Sequence, residues 1–195
     1  MTADSVYPLR DDLTRIISDR PVSLVGNAAS LLTSRLGAQI DQGCVVRLNS
    51  GIPISLAAQG RRIDIHCFST RSSLAMNLKK ARWRVRLKRA YFNKAFSVWM
   101  SGSERETCDD PQQAFYPLAL LHELTNQLGA EPSVGAKTLH MLIELTDAHI
   151  LMFGFDFKQS TSFYRRKENR GPHDWAAERD YALSLCQKGR VSLIA

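Results

Sequence analysis

The segment 22–51, VSLVGNAASLLTSRLGAQIDQGCVVRLNSG, constrains the fold of this chain more than any other stretch. It contains a short apolar run (22–25), a turn, a stretch rich in helix formers (28–36) and a second apolar run (44–48). Short apolar runs without alternation are typical of buried parallel strands. Strand, helix and strand within about thirty residues form a βαβ unit with a right-handed crossover. The segment therefore predicts a parallel sheet.

The rest of the chain continues the alternation of strand and helix patterns. We predict further strands at 63–68, 149–153 and 190–194, helices at 11–19, 74–100, 118–128, 132–146 and 174–187, and a loop at 102–111. A chain of 195 residues has the length of one globular domain. Alternating elements are typical of an α/β fold. We therefore expect one domain, residues 1–195, with a Rossmann-like, doubly wound, mostly parallel sheet.

Composition limits the class of protein. Apolar residues make up 44% of the chain and charged residues 23%, as in soluble globular proteins. No apolar run has the length that a bilayer crossing requires, and the N-terminal residues lack the pattern of a secretory signal. The four cysteines are scattered without a CxxC spacing, as expected in a reducing compartment. These features predict a cytoplasmic protein.

Positive charge is concentrated in the segment 79–94, where lysines and arginines alternate with Trp83, Tyr91 and Phe92. The formal net charge of +7 implies an anionic partner. The composition of the segment suits nucleic acid, but it contains no nucleic-acid-binding motif. A solvated helix face or an anionic membrane surface explains it equally well. We expect peripheral contact with the inner face of the membrane, and a non-enzymatic nucleotide- or nucleic-acid-binding protein is the alternative hypothesis.

Two asparagines follow neighbouring predicted strands. Asn27 comes after Gly26 at the end of the first strand, and Asn49 comes directly after the second. The carboxyl ends of parallel strands meet at the edge where α/β folds bind ligands, and an amide can bind phosphate, ribose or a base. Both residues could instead serve only their turns. The sequence has neither GxGxxG nor GxxxxGK[ST], so it predicts neither a dinucleotide site nor a P-loop.

Ser133 and Gly135 fall in the first turn of a predicted helix. The free N–H groups there favour an anion, although Ser133 could act only as an N-cap. Glycine inside a helix costs about 1 kcal/mol relative to alanine. We therefore expect a backbone segment or a ligand to approach Gly135 closely.

A possible base and possible phosphate ligands lie near the C-terminus. His173 follows a Gly-Pro pair and precedes a helix, so its ring could project into a cleft. Glu178 is too far along the chain to share its helix face, and we expect it to bind a backbone group or a basic partner. Tyr164, Arg165 and Arg166 could hold a phosphate or belong to a solvated loop.

The sequence predicts no metal site. There is no metal-ligand spacing among the remaining histidines, which are His66, His122, His140 and His149. The chain also has no Asp-x-Asp pair. We therefore expect an activity that needs neither a divalent ion nor a bound cofactor.

The order of these elements resembles the sialyltransferases, of the animal type and more distantly of the small bacterial type. The segment 22–51 looks like the family's long motif, and 132–155, PSVGAKTLHMLIELTDAHILMFGF, looks like its short motif. SFYR at 162–165 is a weak match to the third motif, and HDWAAE at 173–178 matches the very short His-(four residues)-Glu motif. The resemblance covers about half of the chain, with the motifs in the family's order.

This resemblance implies a GT-A-like catalytic domain that transfers sialic acid, or a related sugar such as ketodeoxyoctonate, with inversion. The donor would be a CMP-activated sugar, used as substrate rather than as cofactor, and the acceptor a glycan or glycolipid. His173 would be the general base, and Tyr164 would bind the leaving phosphate. CMP would be held by Asn27, Asn49, Ser133 and Gly135, supported by Gly26, Arg165, Arg166 and Glu178.

The chain departs from the family at three points. The animal enzymes join their long and short motifs by a disulfide, but Val22 and Thr146 stand at the matching positions. Ser162 replaces the histidine that leads the third motif, so Arg165 or Arg166 could take over phosphate binding. The middle region, which usually builds the acceptor site, is short, so the acceptor is not identified.

Overall fold

The computed structural model describes residues 6–80, 95–101, 113–164 and 171–194. Within these ranges, one or two helices connect most successive strands. The strands are β1 (Val22–Val25), β2 (Cys44–Leu48), β3 (Ile65–Phe68), β4 (Phe96–Trp99), β5 (Gln113–Phe115), β6 (Ile150–Phe153) and β7 (Val191–Ile194). They form one sheet in the order β5-β4-β3-β2-β1-β6-β7, and each neighbouring pair is parallel.

The sheet has a topological switch point between β1 and β6. The chain adds β2 to β5 on one side of β1 and then returns to place β6 and β7 on the other side. Val25, the last residue of β1, pairs with Phe153 of β6 and with Arg47 of β2. In open α/β sheets, ligands bind outside the carboxyl ends of the strands at such a point.

Helices cover the two faces of the sheet. They are α1 (Val6–Ile17), a 3-10 helix (Ala29–Thr33), α2 (Gly37–Ile40), α3 (Leu56–Gln59), α4 (Arg71–Lys80), α5 (Leu118–Leu128), α6 (Val134–Leu145) and α7 (Trp175–Gln187). Leu24 and Val46 face a large core cluster that includes residues of α1, α5, α6 and α7. Their chain neighbours Val25 and Val45 face a smaller cluster with the 3-10 helix and α2. The alternation arises because successive strand side chains point to opposite faces.

The expected α/β architecture with a Rossmann-like, doubly wound sheet is confirmed, and among the described strands every pairing is parallel. The predicted helix boundaries at Gly129 and Ser133 are confirmed as well. Gly129 ends α5 in the left-handed conformation, with φ of 66°, and Ser133 caps α6. In the described ranges, no helix combines the length and apolar character needed to cross a membrane.

The predicted helix at 28–36 is wrong. The chain forms a 3-10 helix, and α2 begins only at Gly37. Thr33 Oγ1 and Ser34 Oγ donate to the carbonyls of Ser30 and Leu31, each at 2.8 Å. Short polar side chains of this kind compete with the backbone for helical hydrogen bonds, and this explains why no regular α-helix forms here.

The predicted helix at 74–100 is also wrong at its end. Its first part is helical, since α4 ends at Lys80, but Phe96–Trp99 is strand β4. Val98 is fully buried in this strand, and β4 pairs with β3. The pairing of this short apolar run with β3 therefore outweighs the helical pattern of the preceding sequence. Most of the basic segment 79–94 and the predicted loop 102–111 lie outside the described residues.

Candidate functional site

A cavity of about 420 Å³ opens at the carboxyl ends of β1, β2 and β6. Its walls come from the turns after these strands, the first turn of α6, the segment 154–164 and the start of α7. The cavity brings together every predicted site residue that the structure describes: Gly26, Asn27, Asn49, Ser133, Gly135, Tyr164, His173 and Glu178. Arg165 and Arg166 lie outside the described residues.

The turn after β1 depends on a close approach to β6. The Gly26 N–H donates to the Phe153 carbonyl at 2.7 Å, and a Cβ at position 26 would collide with the Gly154 carbonyl oxygen. Asn27 Nδ2 donates to the Leu48 carbonyl at 3.1 Å and so joins the ends of β1 and β2. Its Oδ1 is buried beside Gly51 and has no hydrogen-bond partner within the described ranges. Asn27 therefore braces the cavity wall and still carries an unused acceptor.

Asn49 stands in the left-handed region, with φ of 50°, directly after β2. Its Oδ1 accepts from the Ser69 N–H at 3.1 Å. Its carbonyl accepts from His66 Nε2 at 2.8 Å, and this requires the proton of that ring to be on Nε2. Burial lowers the pKa of His66 to about 3, so the ring stays neutral. The amide nitrogen of Asn49 makes no hydrogen bond to the described part of the chain and can donate to a ligand.

Ser133 and Glu178 form a buried contact between α6 and α7. The Ser133 N–H donates to Glu178 Oε1, and the Ser133 hydroxyl donates to Oε2, both at 2.7 Å. The hydroxyl also accepts from the Ala136 N–H at 3.2 Å as the N-cap of α6. The expectation that Glu178 binds a backbone group is confirmed. The hydroxyl of Ser133 is thus already engaged, whereas the N–H groups of Val134 and Gly135 lie in the first turn, where a helix supplies no acceptor.

Burial raises the pKa of the Glu178 carboxyl, and the two hydrogen bonds from Ser133 oppose this shift.

The close approach expected at Gly135 is made by the ring of Phe155. A Cβ at position 135 would lie 3.1 Å from a carbon of that ring and 3.7 Å from Leu48 Cδ1. Glycine therefore leaves room for the first turn of α6 to sit against the segment after β6.

His173 is held in a defined tautomer at the entrance to α7. Its Nδ1 lies 2.8 Å from the carbonyl oxygen of Glu131. A carbonyl can only accept, so Nδ1 carries the proton and Nε2 presents a lone pair. The ring packs edge-on against Trp175, with 5.2 Å between centroids. Asp174 caps α7 by accepting from the N–H groups of Ala176 and Ala177, which fixes the backbone next to His173.

The segment after β6 supplies site residues that the sequence analysis missed. Phe157 and Lys158 both have positive φ, 49° and 67°, and Asp156 accepts from the N–H groups of Lys158 and Ser160. Lys158 Nζ lies 3.2 Å from Ser162 Oγ and 5.5 Å from the centroid of the Trp175 indole. The Lys158 ammonium therefore lies at the cavity wall. Its position just after a strand at the switch point is the signal that could have revealed it.

Tyr164 is 5% exposed and packs in a cluster with Phe68, Trp99 and Phe163. Its segment is tied to the turn after β1, because the Ala29 N–H donates to the Thr161 carbonyl and the Phe163 N–H donates to the Asn27 carbonyl, both at 3.0 Å. These hydrogen bonds fix the position of Tyr164 at the cavity wall.

Comparison with solved structures shows that the fold is similar to that of sialyltransferases. A mammalian sialyltransferase superposes with a TM-score of 0.63 at 15% sequence identity, covering 99% of this chain and 80% of the other. The sialyltransferase CstII from Campylobacter jejuni, in complex with the substrate analogue CMP-3FNeuAc, gives a TM-score of 0.57 at 13% identity, with coverages of 89% and 80%. A CstII variant in complex with CMP gives 0.61 at 14% identity, with the same coverages.

No protein-family model matches the sequence, and no curated protein sequence is significantly similar to it. At identities this low, the structural likeness shows a shared fold. The resemblance drawn from the sequence motifs is therefore confirmed at the level of the fold, over nearly the whole chain.

Proposed function

We propose that this chain is an inverting glycosyltransferase, acting as one catalytic domain over residues 1–195. It moves sialic acid, or a related keto acid sugar, from a CMP-activated donor to a glycan or glycolipid acceptor. The observation that carries the proposal is His173, which lines a cavity at the topological switch point and whose Nδ1–H bond to Glu131 leaves the lone pair on Nε2. Support also comes from the shared fold of sialyltransferases that have been crystallised with CMP.

The nucleotide-binding part of the proposal rests on donors that the fold leaves open. Asn49 Nδ2 is one such donor at the cavity. The first turn of α6 is another, because its N–H groups and the helix dipole favour a phosphate. Lys158 adds a positive charge at the cavity wall, next to Ser162 and Trp175. It can attract the phosphate of CMP or the carboxylate of an acidic sugar. The sequence motifs predicted Tyr164 as the phosphate ligand, with Arg165 and Arg166 as possible support.

In the proposed reaction, His173 Nε2 takes the proton from an acceptor hydroxyl. The hydroxyl oxygen forms a bond to the anomeric carbon of the donor as the bond from that carbon to the phosphate oxygen breaks. The CMP phosphate leaves with the electron pair, and attack from the opposite side inverts the anomeric carbon. The Glu131 carbonyl stabilises the resulting imidazolium through the Nδ1–H bond, and Tyr164 and Lys158 stabilise the charge on the phosphate.

Activity without a divalent metal ion is part of this proposal. The carboxylates that line the described cavity, Asp156 and Glu178, both use their oxygens to accept hydrogen bonds from the protein. CMP, a phosphate monoester, is a good leaving group. The positively charged ammonium of Lys158 can balance the charge of its phosphate. The mechanism therefore assigns charge stabilisation to protein groups.

Two variants separate the roles of base and nucleotide ligand. His173→Ala should lower transfer by about 10²–10⁴ and leave CMP affinity within a few-fold, because the imidazole acts on the acceptor. Asn49→Ala should weaken CMP binding instead. Calorimetric titration with CMP and transfer kinetics measure both quantities, and His122→Ala, an exposed histidine outside the cavity, is the matched control. Near-normal transfer by His173→Ala would show that another group is the base.

A ligand screen tests the class of function. CMP should raise the thermal unfolding temperature, whereas uridine diphosphate, guanosine diphosphate and short oligonucleotides should not. Tighter binding of an oligonucleotide than of CMP would favour the alternative, a non-enzymatic binding protein that uses the segment 79–94. Comparing CMP-sialic acid with CMP-ketodeoxyoctonate as donors then identifies the sugar.

A further inference from the structure

Three potential metal ligands meet on helices α5 and α6, outside the cavity. Glu123 belongs to α5, and His140 and Glu144 belong to α6. One ring nitrogen of His140 and one carboxylate oxygen from each glutamate all lie within 4.8 Å of one another. None of the three residues lines the cavity at the strand ends. The cluster is therefore separate from the proposed catalytic site.

Helix geometry explains how these residues come together. His140 and Glu144 are four positions apart on α6, so their side chains share one face of the helix. The short connection between α5 and α6, which begins at Gly129, lets the two helices pack side by side and brings Glu123 to the same place. Sequence spacing alone did not indicate the cluster, because one ligand comes from a different helix.

His140 is an unusual residue in this position. Its side chain is buried, with 2% exposure, and its Nδ1 has no hydrogen-bond partner among the described residues. A buried polar atom without a partner is rare, because its desolvation is not compensated.

The two carboxylates concentrate negative charge at the same point. Neither glutamate side chain takes part in the ion pairs found among the described residues. Arg10 approaches Glu144, but its guanidinium donates to the backbone carbonyl at 2.7 Å. A bound cation would balance this charge and engage the His140 ring nitrogen that lies near the two carboxylates.

We propose that Glu123, His140 and Glu144 form a binding site for a divalent transition-metal ion of the Zn²⁺ class. An imidazole with two carboxylates suits such ions, whereas Mg²⁺ and Ca²⁺ prefer oxygen ligands alone. Ligands of tetrahedral Zn²⁺, at about 2.0–2.2 Å from the ion, lie roughly 3.4 Å apart. The two glutamates are exposed and can close this gap, with water as the fourth ligand. The ion would join α5 to α6 and stabilise the fold.

Zinc titration of the whole chain tests the site. Under reducing conditions, calorimetry with ZnCl₂ should show one ion bound per chain, and the ion should raise the unfolding temperature. The double variant Glu123→Gln, Glu144→Gln should bind zinc at least tenfold more weakly and lose the thermal shift. Its side chains are exposed and nearly isosteric, so it should fold, whereas a substitution of buried His140 could disturb packing. His122→Ala, next to Glu123 but outside the cluster, is the control and should bind zinc like the wild type.

Cobalt provides a second readout. Co²⁺ in the wild-type chain should show the visible d–d bands of a protein-bound ion, without the charge-transfer band that a cysteine ligand produces, and the double variant should lack these bands. Unchanged zinc affinity in the double variant would overturn the proposal, as would a thiolate band or the absence of zinc binding by the wild type. MgCl₂ in place of ZnCl₂ should give no thermal shift.

Discussion

Replacing Glu178 tests the contact that holds α6 at the cavity. Glu178→Ala removes both acceptors of Ser133, leaving its N–H and hydroxyl without the partners they reach at 2.7 Å. Glu178→Gln keeps one carbonyl oxygen for the N–H and offers an amide donor to the hydroxyl oxygen. The first variant breaks the contact, and the second preserves its geometry without the charge.

The expected magnitudes follow from the number and kind of these bonds. A hydrogen bond to a charged group contributes about 1.5–3 kcal/mol, so two bonds give at most about 3–6 kcal/mol. Part of this loss is offset, because the variant no longer buries a charged carboxylate. We therefore expect Glu178→Ala to lower the free energy of unfolding by about 2–4 kcal/mol, or roughly 5–15 °C in melting temperature for a chain of this length. Glu178→Gln should lower it by about 1 kcal/mol or less.

The pH dependence has a definite sign. Burial raises the folded-state pKa of Glu178 above its unfolded value, so the folded protein holds this proton more tightly than the unfolded chain. The stabilisation from Glu178 is complete below the unfolded pKa, near pH 4.3, and is lost as pH rises through the folded pKa. The wild type should therefore lose stability relative to Glu178→Gln as pH increases over this interval.

Urea denaturation at a series of pH values measures both effects. Asp180→Asn, an exposed change on the same helix, is the control and should alter stability by no more than about 0.5 kcal/mol. If Glu178→Gln is as unstable as Glu178→Ala, and the wild type gains stability relative to Glu178→Gln as pH rises, then the charge itself holds the contact and our reasoning is wrong.

Two further predictions concern the metal ion and the basic segment. Turnover of the CMP-activated donor, by transfer or slow hydrolysis, should survive EDTA, because the proposed mechanism assigns the charge of the leaving phosphate to Lys158 and Tyr164; complete loss that magnesium or manganese restores would contradict this. The segment 79–94 should bind anionic vesicles in a salt-sensitive way, since each lysine or arginine near such a surface contributes about 1 kcal/mol. Co-sedimentation at low salt checks this, and equal recovery with neutral vesicles would refute it.

Much of the fold could be predicted because its signals are local. The apolar runs at 22–25 and 44–48 indicate buried parallel strands, and the structure has β1 and β2 at these positions. Gly129, Ser133 and Asp174 mark helix ends because each acts on backbone groups within a few residues. The resemblance to sialyltransferases likewise depends on motifs that are contiguous in the sequence.

The remaining features are decided by contacts between distant segments. Strand β4 exists because Phe96–Trp99 pairs with β3, against the helical pattern that precedes it. The contact of Glu178 with Ser133 joins residues that are 45 positions apart, and the Lys158 ammonium is placed at the cavity by packing against Ser162 and Trp175. The periodicity of apolar residues does not predict such pairs, because it indicates only which side of a helix or strand is buried.

The sequence by itself therefore determined the class of sheet, the main helix ends and the set of polar residues that follow the strands. The tertiary structure alone decided which nitrogen of His173 carries the proton, since that depends on the Glu131 carbonyl. It also decided that Glu123 joins His140 and Glu144. Local hydrogen bonding and apolar periodicity act over a few residues, whereas the arrangement of a site depends on how whole helices and strands pack against one another.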